Sequence, residues 1–162
     1  MRTVFYSYRT PLGPLTLAAN ETGITHAAFG ESIESLPPHA ERRASALTNR
    51  AANEMLEYLA GKRRVFDVPL NPQGTEFQRK VWRELTRIPY GSTRTSTQVA
   101  ERLGMEEGHR SVGAAIRKNP LAVLVPDHRI VASNGTVPGV GESARHRSLL
   151  LAFEQAQLKN DK

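Results

Sequence analysis

Residues 95–118, TSTQVAERLGMEEGHRSVGAAIRK, decide how this chain is read. Thr95 or Ser96 can cap a helix running to about Leu103, with Val99, Ala100 and Leu103 turned inward and Gly104 ending it. MEEG is a tight connection. A second helix runs from about His109 to Lys118 and stops at Asn119–Pro120, because proline cannot continue it. Two short helices joined by a few residues including glycine read as a helix-turn-helix, and a plain helical hairpin satisfies the same pattern.

The second helix is informative for what it lacks. Val112, Ala115 and Ile116 form its apolar stripe. The opposite face carries Arg110, Ser111, Gly113, Ala114 and Arg117, small in the middle and basic at the ends. A helix that reads base edges in the major groove usually carries long polar side chains. A nearly bare face suits close approach to something narrow, and the DNA minor groove, about 6 Å wide, fits that need. The alternative is that Gly113 and Ala114 simply pack against a neighbouring helix.

Upstream, Thr75 with Gln78 forms a capping-box pattern that opens a helix with Phe77, Val81, Trp82 and Leu85 inward, broken by IPYG at 88–91. Downstream, RIVA and TVPG flank Asn134–Gly135, a two-residue hairpin signal, so a wing follows the helix pair. A last helix starts near Ser143 with Leu149, Leu150 and Phe153 inward. The N-terminal part reads differently. VFYSY (4–8), LTLAA (15–19) and ITHAAF (24–29) are strands joined by tight turns. Ala44, Leu47, Ala51, Met55 and Leu59 then mark one helix stripe, ended by Gly61 with Lys62, Arg63 and Arg64 at its negative end. Asn71–Pro72 marks a domain boundary.

The 162 residues suffice for one domain or two small ones. No apolar run is long enough to span a membrane, and the N-terminus lacks the apolar core of a secretory signal, so a cytoplasmic protein is expected, associated with the nucleoid if bacterial. Charge is uneven: residues 1–71 hold 8 basic and 7 acidic side chains, residues 72–162 hold 14 and 9. A basic second half favours nucleic acid over a membrane surface as partner. The chain has no cysteine, which removes disulfides, thiolate metal sites and any thiol nucleophile. The five histidines show no metal-ligand spacing, so neither metal nor cofactor is expected.

Pro126-Asp127-His128-Arg129 sets a carboxylate, an imidazole and a guanidinium in a row. General acid–base work by Asp127 or His128 is one use of them. A turn in which Asp127 accepts backbone N–H bonds and Arg129 pairs with a carboxylate is the plainer one.

Taken together, GTEFQRKVWRELTRIPYGST, RSVGAAIRKNP, VPDHRIVASNG and the closing GES…LLLAFE resemble the O6-alkylguanine-DNA alkyltransferases and their alkyltransferase-like relatives, strongly over about 74–155. The resemblance implies an α+β fold. A small N-terminal antiparallel sheet plus helix, RNase H-like, covers 1–71. A mostly helical winged helix-turn-helix domain covers 72–162. It implies that Arg110 enters the duplex and fills the gap left by a flipped nucleotide, while Ser111, Gly113 and Ala114 lie in the minor groove. Thr95, Ser96 and Arg117 complete the implied DNA-binding set. Asn119, His128 and Glu154 match the relay that activates a cysteine in active relatives, and Arg129 supports the fold. Val125, Pro126, Asp127 and Val140 match the base pocket.

The chain departs from that pattern at three positions. Where active relatives have Pro-Cys-His-Arg, this chain has Asp127. Ser96 and Val140 stand where tyrosines help to turn or hold the base. Alkyl transfer from O6 is a displacement at carbon, for which a carboxylate is a far weaker nucleophile than a thiolate. No catalytic residue is therefore expected. The reading is a non-catalytic protein that binds double-stranded DNA, alkylated DNA included, extrudes a base and marks damage for downstream repair proteins. Two alternatives stand beside it: an enzyme using Asp127 and His128 on a modified base, and a scaffold that binds DNA through charge alone. An ionised Asp127 would meet lone pairs at O6 and N1 of an O6-alkylguanine. It would suit a base with N–H donors, such as cytosine at N4. Burial raises its pKa and an imidazolium at His128 lowers it, and the sequence leaves the balance open.

Overall fold

A computed structural model describes residues 2–161. The chain falls into two compact units, one of residues 1–73 with 120–124, the other of 74–119 with 125–162. The division therefore differs from a single cut at 71/72: residues 120–124 return to the first unit.

In the first unit, β1 (Val4–Thr10), β2 (Gly13–Ala19) and β3 (Ile24–Phe29) form an antiparallel meander. A two-residue strand β4 (Glu41–Arg42) joins β1 in parallel, giving the order β3-β2-β1-β4 and a mixed sheet rather than a purely antiparallel one. On β3, the Ala27 N–H donates to Pro120 O at 2.8 Å and Ala27 O accepts from Ala122 N at 3.0 Å, so Leu121 forms an isolated parallel bridge beside β3.

Helix α1 (Ala46–Leu59) opens on a Ser45–Thr48 capping box, and Gly61 follows its end at φ 77°. Its buried side chains are Thr48, Ala51, Ala52, Glu54, Met55 and Tyr58. The expected stripe is thus shifted: Ala44 precedes the helix, and Tyr58 rather than Leu59 goes fully inside. Glu54 is tolerated there because its Oε1 accepts from the backbone N–H groups of Asp67 (2.8 Å) and Val68 (3.1 Å).

The second unit holds α2 (Glu76–Leu85), α3 (Ser96–Arg102), α4 (His109–Arg117) and α5 (Gly141–Asn160). Capping boxes at Thr75/Gln78 and Thr95/Gln98 start α2 and α3. Val81, Trp82, Leu85, Val99, Val112, Ala115 and Ile116 are buried, and the Trp82 indole N–H donates to Ala115 O at 2.8 Å, tying α2 to α4. Each of these valine, leucine and isoleucine side chains contributes roughly 1.5–3 kcal/mol by leaving water. Glu84 of α2 is buried too, with Arg87 at 3.3 Å and Arg102 at 3.2 Å on its carboxylate.

Two expectations are corrected here. The wing is no strand pair: around Asn134–Gly135 it is a turn closed by Ala132 N to Thr136 O at 2.8 Å, while Ile130 bridges Arg94 instead. Leu149 of α5 is 49% exposed, and Ala144, Leu150, Leu151 and Glu154 take the inner positions. Among the described residues no helix is long and apolar enough to cross a membrane.

Candidate nucleic-acid interface and base site

Helix α4 divides as its sequence requires. Val112, Ala115 and Ile116 are inside, whereas Arg110, Ser111, Ala114 and Arg117 are exposed and Gly113 is half-buried. A methyl group built on Gly113 would meet Arg117 Nη1 at 3.6 Å and Ser96 Oγ at 3.9 Å, ordinary contacts. A methyl group therefore has room at 113, beside Ser96 of α3, and close packing does not by itself demand glycine there. Thr95 spends its side chain on the α3 cap, accepting from Gln98 N at 3.1 Å, and Ser96 starts the helix half-buried.

Asp127, His128 and Arg129 form one turn of 3-10 helix after Pro126. The turn is held at both ends: Asp127 N donates to Val125 O at 2.8 Å, and Ile130 N to Asp127 O at 3.1 Å. Arg94 frames it further, donating to Arg129 O at 3.0 Å and accepting from Val131 N at 2.9 Å.

Behind the turn lies an ion cluster closed to solvent. His128 Nε2 sits 2.6 Å from Glu154 Oε2, both side chains fully buried. Arg129 donates Nε to Glu154 Oε1 and Nη2 to Oε2, each at 2.8 Å, and Nη1 to Ile88 O at 2.7 Å. Gly91 N donates to Glu154 Oε1 at 2.8 Å. Glycine is required at 91: φ is +76°, and a Cβ there would run into the Leu158 side chain. Glu154 thus accepts from an imidazole, a two-pronged guanidinium and a backbone amide, which offsets the cost of burying its charge.

In front of the turn, Asp127 is half-buried. Burial pushes its carboxyl above the usual value, against the opposing pull of His128, of Arg147 and of a hydrogen bond from Asn119. Asn119 also donates its amide to Val125 O at 3.0 Å. Arg147 of α5 is anchored by Ser143 Oγ and Pro138 O, both at 2.8 Å. Asn119, Asp127, His128 and Glu154 are therefore brought together, with Val125 and Pro126 buried beside them. Val140 is not: it is 95% exposed. Arg147 was missed from sequence. Its spacing of seven from Glu154 sets both on one face of α5, which was the available signal. Among the described residues no cluster of three His, Asp or Glu side chains is placed to hold a metal ion.

Known proteins resemble this chain over nearly its whole length. Residues 4–72 match the family described as 6-O-methylguanine DNA methyltransferase, ribonuclease-like domain, and residues 76–156 match its DNA binding domain. The methylated-DNA–protein-cysteine methyltransferase of Methanosarcina barkeri is 36% identical over 151 residues, 93% of this chain and 96% of that protein. The Mycobacterium tuberculosis protein of the same name is 35% identical over 158 residues, 95% of each chain. The crystal structure of Mycobacterium tuberculosis OGT in complex with DNA superposes with a TM-score of 0.86 at 33% identity, covering 95% of this chain and 94% of that one. The chain belongs to the 6-O-methylguanine DNA methyltransferase family.

Proposed function

We propose that this protein is a non-catalytic, alkyltransferase-like member of its family. It binds double-stranded DNA through the minor groove, inserts Arg110, extrudes a base towards Asp127 and transfers no alkyl group to itself. One observation carries the reading. Relatives are named for methyl transfer to a protein cysteine, and this chain contains none. Asp127 stands directly before the buried His128–Glu154 pair, at the position the resemblance assigns to the acceptor. The mismatch between an intact relay and a carboxylate in front of it supports loss of transfer with retention of the site.

DNA binding is supported by the exposed small-and-basic face of α4, by the basic balance of residues 72–162, and by the relative that is seen in complex with DNA. Bound in this way, the protein would mark an alkylated base for downstream repair proteins. The test pairs two measurements on the purified protein. Fluorescence anisotropy compares an O6-methylguanine duplex with its undamaged counterpart at physiological salt. Incubation with the same duplex carrying a radiolabelled methyl group follows transfer. Preference for the damaged duplex without label on the protein is expected. Label retained on the protein refutes the proposal.

A further inference from the structure

Helix α2 divides into two sides of opposite character. Val81, Trp82, Glu84 and Leu85 are inside, and Trp82 holds α4 through Ala115 O. Arg79, Lys80, Arg83 and Arg87 are exposed on the other side. Arg79, Arg83 and Arg87 follow at intervals of four, so they form one row, about 6 Å apart along the helix axis. Arg87 and Arg102, the last residue of α3, both reach the buried Glu84, at 3.3 Å and 3.2 Å, with 68% and 52% of their side chains exposed. Arg94 lies 3.9 Å from the same carboxylate. Arg79, Lys80 and Arg83 meet no carboxylate among the described residues. Glu76, in the first turn, is the remaining acidic residue of α2 and pairs with none of them.

Such a row is not what helix stability favours, because like charges four residues apart repel each other. Other helices of this chain set opposite charges at these spacings: Arg50 with Glu54 at 3.2 Å on α1, and Glu142 with Arg145 at 3.0 Å on α5. On α2 the one carboxylate beneath the row is shared by three guanidiniums, so positive charge remains in excess. Glu84 engages Arg87 through Nη1 and Arg102 through Nε, which fixes both groups and leaves their other N–H donors for an outside acceptor.

The chemistry of the surface selects among polyanions. No large apolar side chain of α2 or α3 is exposed among the described residues, so the surface lacks the apolar centre on which a protein partner would anchor. A straight, regularly spaced row of guanidiniums instead matches the duplex backbone, which repeats a phosphate about every 3.4 Å along each strand. The row stands on the side of α2 turned away from α4, apart from the small-and-basic face already described.

We propose that Arg79, Arg83 and Arg87, with Lys80 and Arg102, form a second phosphate-backbone site that holds a duplex segment other than the one on α4, so that the protein bridges two stretches of DNA. The inference rests on the DNA-binding reading of α4 given above. The second site reads no sequence and no lesion, since guanidinium–phosphate contacts carry no base information.

The experiment fixes a biotinylated duplex on beads and measures how much of a second, fluorescent duplex of unrelated sequence the protein retains at about 50 mM salt, where phosphate contacts are strong. Anisotropy with one short duplex follows single-segment binding in parallel. The wild-type protein is expected to retain the second duplex and to release it as salt rises. The triple variant Arg79→Gln, Lys80→Gln, Arg83→Gln keeps good helix formers at exposed positions. It is expected to lose about tenfold or more of the retained duplex while single-duplex affinity stays within about twofold. Arg2→Gln, Arg9→Gln, Lys62→Gln removes as much exposed charge from the first unit and is expected to bridge like wild type.

A wild-type protein that binds one duplex and retains no second one overturns the proposal. Bridging undiminished in the α2 variant does so too, since another surface or a second copy of the chain would then carry it. An α2 variant that loses single-duplex affinity as steeply as bridging places the row on the same duplex as α4, which also refutes it. If the wild-type protein binds no duplex at all, the DNA-binding reading fails along with this one.

Discussion

His128 and Glu154 meet at 2.6 Å with neither side chain reaching solvent. The same carboxylate takes two hydrogen bonds from Arg129, so the pair survives in this chain as part of a structural clamp on the Asp127 turn. Glu154→Gln leaves the Arg129 guanidinium buried against a neutral amide. Removing one partner of such a cluster typically costs about 3–5 kcal/mol. Urea denaturation is expected to show that loss as a lower midpoint with an unchanged slope.

Asp127 should tax stability as pH rises. Its carboxyl titrates above the value it has in the unfolded chain, chiefly because of burial. Between the two values the folded protein holds more protons than the unfolded one, so stability is highest below the unfolded value near 3.8 and declines as pH climbs through the folded one. Asp127→Asn removes this titration. The variant is expected to gain in melting temperature relative to wild type as pH rises towards neutrality, with the gap closing in acid. A gap independent of pH would contradict the assignment.

Arg110 and Arg117 occupy opposite ends of the exposed α4 face and should fail differently. Arg117→Ala is expected to weaken damaged and undamaged duplexes alike and to reduce the salt slope by about one phosphate contact. Arg110→Ala is expected to lose in addition about tenfold of the preference for the damaged duplex, near 1.4 kcal/mol, because the insertion proposed above would favour an extruded base. Anisotropy titrations at several salt concentrations separate the two.

Asp127→Cys tests whether the clamp still works as a relay. His128 and Glu154 remain aligned behind the position, so a thiol there is expected to take up a methyl group from an O6-methylguanine duplex, seen as a one-methyl mass increase of the intact protein. Adding Ser96→Tyr and Val140→Tyr is expected to speed the reaction. Val140 stands 95% exposed where the resemblance calls for an aromatic ring on the base, and Ser96 offers only a short hydroxyl.

Local chemistry accounts for what the sequence made legible. Thr75 and Thr95 with their glutamines mark two helix starts, and the split of α4 into apolar and bare faces follows from spacing alone. The order of the motifs alone points to Asn119, Asp127, His128 and Glu154. Long-range partners defeated the rest. Glu54 and Glu84 look like surface residues until the Asp67 and Val68 amides, or Arg87 and Arg102, are seen on them. β4 is two residues long and pairs with a strand more than thirty positions away, beyond any periodicity. The Asn–Gly hairpin signal was real as a turn, but its flanks found other bonding: Ile130 bridges Arg94, and the loop is closed by Ala132 N to Thr136 O and Gly135 N to Ala132 O.

Leu121 bridges β3 of one unit although the chain before residue 120 and after residue 124 belongs to the other. Severing the polypeptide after residue 73 would therefore not yield two self-sufficient pieces. The leading fragment would forfeit the segment that satisfies Ala27, and the trailing one would carry an apolar ribbon with nothing to pair it. Any shortening of this protein to its helical half, by engineering or by descent, has to rewrite residues 120–124 into a soluble connection first.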